Sequence, residues 1–587
     1  MSGADSPSRC SPHVLREYAL VADGERGALI GPRGDLVWMC APHWDSGAVF
    51  SGLIGGAGHY TITPSGRFVW GGYYEPGTLI WRSRWITESG IVECREALAF
   101  PGEPHRAVLL RRIVAVEGDA RLTVALAPAA EFGQARLTDV DRDPFGNWTA
   151  RSGALRLRWG GAGDARPHRD GWNIDLRLRD GCRHDLVLEL SDTGLADQPV
   201  DPGATWAATE TAWQHVAPDL PDTLAPADAR HSAVVLRGLT ARSGGMVAAA
   251  TLGLPERARA GRNYDYRYVW IRDQCYAGQA LAAAGPTAGP ADQFDDLVSF
   301  VVARILDDGP DLAPAYTATG ARIPDEHRLE LPGYPGGAPV VGNRVTGQTQ
   351  LDAFGEALLL LSAAVARGRA DTDVHAAITI TADAIAQRWT RPDAGLWELD
   401  DRHWAHSRLT CVAGLRQAAT RAGTTRSADW IALADAILAS TADCRHPSGR
   451  WQRAPDDSRV DAGLLLPALR GAVPTTDPRS IATARAVAEE LGEEQFVYRF
   501  RHDDRPLGDA EGAFLLCGFF MALTAHRHGD STAAIRWFER NRAACGPPGL
   551  FAEEYDIAQR QLRGNLPQAF VHALLLESAA VLTRPPR

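Results

Sequence analysis

The chain predicts a two-part protein, an antiparallel β-sandwich followed by an all-helical (α/α)6 barrel. Three observations carry the prediction. The first third of the 587 residues alternates apolar and polar positions with period two. The remainder follows the helical period. The connections between its helices fall into a long class and a short class.

In the first third, Thr78–Thr87, Ala107–Val116, Leu155–Trp159 and Leu186–Leu190 are rich in β-branched and aromatic residues, and Gly, Pro and Asp interrupt them at short intervals. Many short strands with frequent turns fit an antiparallel sandwich better than a parallel sheet. Pro218–Pro226 (PDLPDTLAP) reads as a linker. The expected domains are therefore 1–217, a linker over 218–227, and 228–587.

Twelve apolar helical stretches follow, at about 228–243, 271–284, 290–307, 347–367, 373–389, 405–422, 427–441, 459–471, 478–490, 511–528, 531–544 and 566–582. Several, such as Ala513–Leu523, are apolar nearly all round and belong inside a structure rather than on its surface. Six helical hairpins make a double-layered barrel. The connections 244–270, 308–346, 390–404, 442–458, 491–510 and 545–565 are long and rich in aromatic residues, Gly and Arg; the alternate ones are mostly a few residues. In up-and-down topology the long set emerges at one end, where sites are built.

Composition narrows the chemistry. All 61 basic residues are arginine, which removes Schiff-base lysines, lysine bases and lysine-bearing phosphate loops. A net charge of −11 predicts neither nucleic acid nor an anionic membrane as partner. The nine cysteines lack CxxC pairs, so no disulfide framework or zinc site is indicated. With a polar N-terminus and no apolar run of membrane-crossing length, the expected compartment is the cytoplasm.

Two peptides in the long connections carry the chemistry. Gly395–Glu398 and Gly549–Asp556 each set carboxylates beside aromatic residues after a glycine turn. A separated carboxylate pair is what glycosidic hydrolysis requires. The Trp397 indole beside Glu398 favours the neutral, proton-carrying carboxyl of a general acid; the alternative is that Glu398 caps the next helix. Glu553 and Glu554 are expected to point in different directions, one into a pocket and the other toward an arginine such as Arg560 or Arg563; composition does not choose between them. Arg262–Asp273 (RNYDYRYVWIRD) mixes Arg and Asp, which bind hydroxyls, with aromatics, which stack on sugar C–H faces. Its competing reading is a salt-bridged helix entrance, Arg267 with Asp265 and Arg272 with Asp273. Trp451, Trp404 and Tyr334 in neighbouring loops favour sugar.

These motifs resemble glycoside hydrolase family 15, the glucoamylase and bacterial trehalase family, in its bacterial two-domain form. Leu15–Leu53 resembles the family's N-terminal opening, Tyr264–Asp273 its W/Y-D-Y-R-Y-x-W-x-R-D, and Gly333–Gly355 its G-Y-x-G-x-x-P-V…G-N…Q-x-Q-L-D-x-x-G. Gly395–Glu398 resembles its G-x-W-E and Gly549–Phe570 its last catalytic loop. The resemblance implies an inverting hydrolase needing no metal or cofactor, with Glu398 as general acid and Glu553 as general base. It further implies that Trp270, Arg272 and Asp273 hold the non-reducing glucose and that Trp397, Arg499 and Glu511 line the pocket. The pattern departs at Ala338 and Val341, where the family often has arginines, and at Val37, where an Asp often precedes the tryptophan. The leading expectation is an exo-acting α-glucosidase of glucoamylase type releasing β-D-glucose. Trehalose and isomaltose are the alternative substrates, and an inactive carbohydrate-binding protein is the remote one.

Overall fold

The computed structural model describes residues 12–285, 293–423, 425–503 and 505–585. Two antiparallel eight-stranded sheets are built from residues 19–191. In the first, Ala19–Ala22, Gly27–Ile30, Asp35–Cys40, His59–Pro64, Ala120–Ala127, Gly171–Leu178 and Arg166–His168 lie in that order, and Ala48–Phe50 pairs off Asp35–Cys40. The second runs from Leu137–Arg142 at one edge through Arg106–Glu117 to Phe68–Tyr74 at the other. All four segments read as strands are strands here, lengthened or trimmed by a few residues.

Alternation puts Tyr60, Trp85, Trp159 and Ile113 between the sheets, all fully buried. At about 25 cal/mol per Å2, an indole of roughly 200 Å2 contributes about 5 kcal/mol before entropy. Arg111 crosses this core, donating to Tyr60 O and Gly34 O and pairing with the equally buried Glu96.

One helix was not anticipated. Pro202–Val216 occupies residues that the sequence reading assigns to the sandwich. Asp201 caps it by accepting from Ala204 N, and Pro202 opens its first turn. Trp206 and Trp213, seven residues apart and so on one face, bury against the sheet, with Trp213 stacked on Phe100 at 3.9 Å.

The helical part forms the expected barrel. Its inner ring is Ile271–Ala284, Leu351–Ala366, Ala405–Arg421, the short Ala462–Leu469 segment, Leu515–Arg527 and Ala569–Val581; each packs on the next and the last packs on the first. Pro226–Leu239, Gln293–Asp308, Thr372–Arg388, Ser427–Ser440, Pro478–Glu490 and Ser531–Arg542 form the outer layer. Residues 290–292 of the expected third helix lie outside the described residues. The eighth helix is the weakest, a 3-10 turn over Ala462–Leu465 followed by a single α-turn, Leu466–Leu469, with Pro467 near its start. The inner helices are buried on nearly every side, which explains why their sequences lack an amphipathic stripe. Among the described residues no helix is long and apolar enough to cross a membrane.

The sandwich is stitched to the long connections. Trp38 Nε1 donates to Ala250 O at 2.8 Å, and the Tyr334 hydroxyl to His13 O at 2.8 Å. Arg267 Nη1 donates to Ser46 O at 2.7 Å and Trp44 O at 3.2 Å.

Candidate active site

Five of the six long connections supply residues to one open cleft. Tyr266 and Trp270 come from 244–270, Arg344 from 308–346, Trp397 and Glu398 from 390–404, Arg499 from 491–510 and Glu553 from 545–565. The sixth, 442–458, contributes Arg453 to a smaller cavity behind Trp397.

Glu398 sits at the end of a tight turn. Gly395 takes φ +69°, and a Cβ there would lie 2.6 Å from Trp404 Cδ1, so no other residue fits. Glu398 itself has φ 55°, a left-handed conformation that costs a non-glycine residue about 1–3 kcal/mol and persists where the surroundings enforce it. Here they do. Glu398 Oε1 accepts from Trp270 Nε1 at 2.6 Å, Gln350 Nε2 at 3.2 Å and Arg272 Nη2 at 3.4 Å. Arg272 also binds Gln350 Oε1 and Asp352 Oδ2. Its partners are thus Asp352 and Glu398, not the adjacent Asp273 of the salt-bridge reading. Asp273 lines the cleft, and burial, reinforced by the Glu398 charge against the pull of Arg272, pushes its carboxyl up to about 7.

Glu553 precedes a strand, Glu554–Asp556, that pairs with Ala513–Phe514. Successive residues of an extended segment face opposite ways. Glu553 faces the cleft, and Glu554 turns inward to accept from Gly512 N at 2.7 Å. Neither Arg560 nor Arg563 is Glu554's partner. Arg499 is the arginine beside it, at 3.9 Å, while Arg563 lies near Asp556. Glu553 Oε1 accepts from the Tyr266 hydroxyl at 3.1 Å, and its Oε2 is buried with no donor among the described residues. Burial first, then the Glu256 charge, holds Glu553 well above the usual carboxylate range, against the opposing pull of Arg499, Tyr266 and Arg262. Tyr266 and Trp270 meet edge-on at 5.4 Å, so the two aromatic donors that hold the two carboxylates also hold each other.

Of the residues implied by the resemblance, Trp270, Arg272, Asp273, Trp397, Arg499, Glu398 and Glu553 line the cleft. Glu511 does not. It lies behind Arg499 in a bidentate pair, with His502 at 2.8 Å and Arg262 at 3.5 Å. Burial works the other way, but the Arg499 charge, the His502 hydrogen bond and the Arg262 charge hold the Glu511 carboxyl down to about 2. Its task is to present Arg499, whose guanidinium packs on Trp397 and Phe514. Trp404, Trp451 and Tyr334 are buried and none of them lines the cleft, so they lend no direct support to sugar binding. Sequence reasoning missed Tyr266, Glu256, Arg262, Arg344 and Phe514 as lining residues and Gln350 as a donor to Glu398. Tyr266 lay inside a quoted motif, in the same aromatic and charged run as Trp270.

Among the described residues, the one carboxylate trio close enough to share a cation is Glu256, Glu511 and Glu554, with ligand oxygens within 4.8 Å of one another. Arg499 lies within 4 Å of all three and Arg262 pairs with Glu256, so guanidinium already supplies the positive charge.

Residues 233–580 match the model of glycosyl hydrolases family 15, and residues 10–143 match the trehalase-like N-terminal model. The chain is 30% identical to a trehalase of Mycobacterium tuberculosis, over 99% of this chain and 91% of that one. It is also 30% identical to a trehalase of Mycolicibacterium smegmatis, over 97% and 91%. A bacterial glucoamylase solved with acarbose shares the fold at a TM-score of 0.70 and 14% identity, covering 100% of this chain and 97% of the other. With a family match across more than half its length and a site of paired carboxylates in a barrel, the chain belongs to glycosyl hydrolase family 15 and is an O-glycosyl hydrolase.

Proposed function

We propose that this protein hydrolyses α,α-trehalose to two glucoses with inversion at the attacked carbon. The observation that carries the reading is similarity to two trehalases along nearly the whole chain, sandwich included. Trehalose fits those relatives better than the leading glucoamylase expectation.

Glu398 protonates the bridging oxygen. Its Oε1 is held by Trp270, Gln350 and Arg272, donors that also stabilise the carboxylate left after proton transfer. Glu553 takes a proton from the attacking water. Tyr266 fixes its Oε1, leaving the undonated Oε2 as the acceptor. Trp270, Arg272 and Asp273 bind the glucose being attacked, with Trp397 and Arg499 closing the pocket.

Inversion leaves the attacked glucose as the β anomer, while the departing glucose keeps its α configuration. Proton NMR of the first turnovers is therefore expected to show α- and β-glucose in equal amounts. Exclusive α-glucose would overturn the mechanism, and glucose release from maltose but not trehalose would overturn the substrate.

The pH profile offers a second check. Glu553 must be ionised to act, so kcat/KM falls as pH drops through its value, which lies above the ordinary 4.5. Glu256→Gln removes a negative neighbour and so eases ionisation of Glu553. The acid limb is expected to move down by about one pH unit or less. An upward or absent shift would remove Glu256 from this role.

A further inference from the structure

Asp393 and Asp352 lie beneath the Glu398 turn, both buried. Asp393 Oδ1 accepts from Gly395 N at 2.8 Å, Ser407 Oγ at 2.9 Å and Leu351 N at 3.3 Å. It ties together the turn, the helix that starts at Leu351 and the helix that starts at Ala405. Asp352 Oδ2 receives Arg272 at 3.1 Å. Each carboxyl leaves one oxygen, Asp393 Oδ2 and Asp352 Oδ1, buried with no donor among the described residues.

The charges around the pair do not support two anions. Arg272 is the cation beside Asp352, and it is shared with Glu398. From the Ala405–Arg421 helix, burial lowers His406 toward its neutral form and keeps Cys411 a thiol. Glu356, one turn along from Asp352, adds no positive charge. An uncompensated buried carboxylate costs several kcal/mol, whereas one proton removes a charge and supplies a donor.

We propose that Asp393 carries a proton on its undonated Oδ2, and that this proton makes Asp393 the positioning residue for the Gly395–Leu399 turn and hence for Glu398. Burial first, and then the Asp352 charge, pushes Asp393 up to about 8, consistent with its carrying the proton at neutral pH. The catalytic consequence rests on Glu398 being the general acid; the proton on Asp393 does not.

The direct test is infrared difference spectroscopy of the whole protein. Because other buried carboxyls also hold protons near pH 7, the readout is the wild type minus Asp393→Asn: a protonated-carboxyl band is expected in that difference at pH 7, fading as pH rises through about 8. Stability adds a signed readout. With a folded value near 8 against an unfolded 3.8, the wild type is fully favoured below about pH 4 and loses stability as pH climbs to 8. Asparagine does not titrate, so the melting temperature of Asp393→Asn should gain on the wild type across that window. Asparagine also keeps the acceptor for Gly395, so its kcat should exceed that of Asp393→Leu by at least about tenfold. No such band in the difference spectrum, or a melting difference that does not change with pH, would overturn the proton on Asp393. Equal kcat loss in the Asn and Leu variants would overturn the positioning role. If trehalose hydrolysis fails while the band is present, the function falls and the proton stands.

Discussion

Glu398→Gln and Glu553→Gln are each expected to lower kcat on trehalose by about 10²–10⁴-fold with the fold intact. The two losses should differ in kind. α-D-Glucosyl fluoride carries a leaving group that departs without protonation, so Glu398→Gln should recover much of its rate on that substrate. Glu553→Gln should not, because water still lacks its base. The exchange is conservative at Glu398, since the amide oxygen can accept from Trp270 and Arg272 as Oε1 does now. Wild-type turnover in either variant, or recovery of both on the fluoride, would reassign the roles.

Arg267→Met is expected to destabilise the protein by about 3–5 kcal/mol, because it strands the Asp265 carboxylate in the interior. Both residues are fully buried, and the pair is bidentate at 2.9 and 2.7 Å. Arg267 also reaches the sandwich at Trp44 and Ser46. Tyr266 is its chain neighbour and Trp270 lies three residues on, so activity should fall beyond what unfolding explains. Pairing the change with Asp265→Asn removes the stranded charge and should return part of the stability, a non-additivity that urea unfolding of the two single variants and the double variant can measure. Strict additivity would mean that the two side chains do not act as a pair.

The barrel was legible because its signals are local. Helical period, glycine and proline breaks, and the two classes of loop length are all written along the chain. The Pro202–Val216 helix was equally local, with Asp201 and Pro202 marking its start, but its buried face is just Trp206, Thr209 and Trp213. At the site, residue types were legible and partners were not. Glu511 was expected in the cleft because the family resemblance implied it; its burial against Arg499, twelve residues away, is a product of packing. Tyr266 touches Glu553 across 287 residues, a contact no spacing rule encodes. The choice of Glu553 over Glu554 came from resemblance, and its geometric counterpart is the alternation of an extended segment.

The hydrogen bonds from Trp38 to Ala250, from Arg267 to Trp44 and Ser46 and from Tyr334 to His13 have an evolutionary reading. A domain whose described residues contribute no lining group to the cleft nevertheless forms the wall on which two of the six loops rest. Such domains cannot be exchanged freely. A sandwich taken from a relative would have to arrive with matching residues near positions 13 and 38–46, or be inherited together with the loops 244–270 and 308–346. Drift on either side of the seam is then expected to be correlated, and the two parts to pass through recombination as a single heritable block.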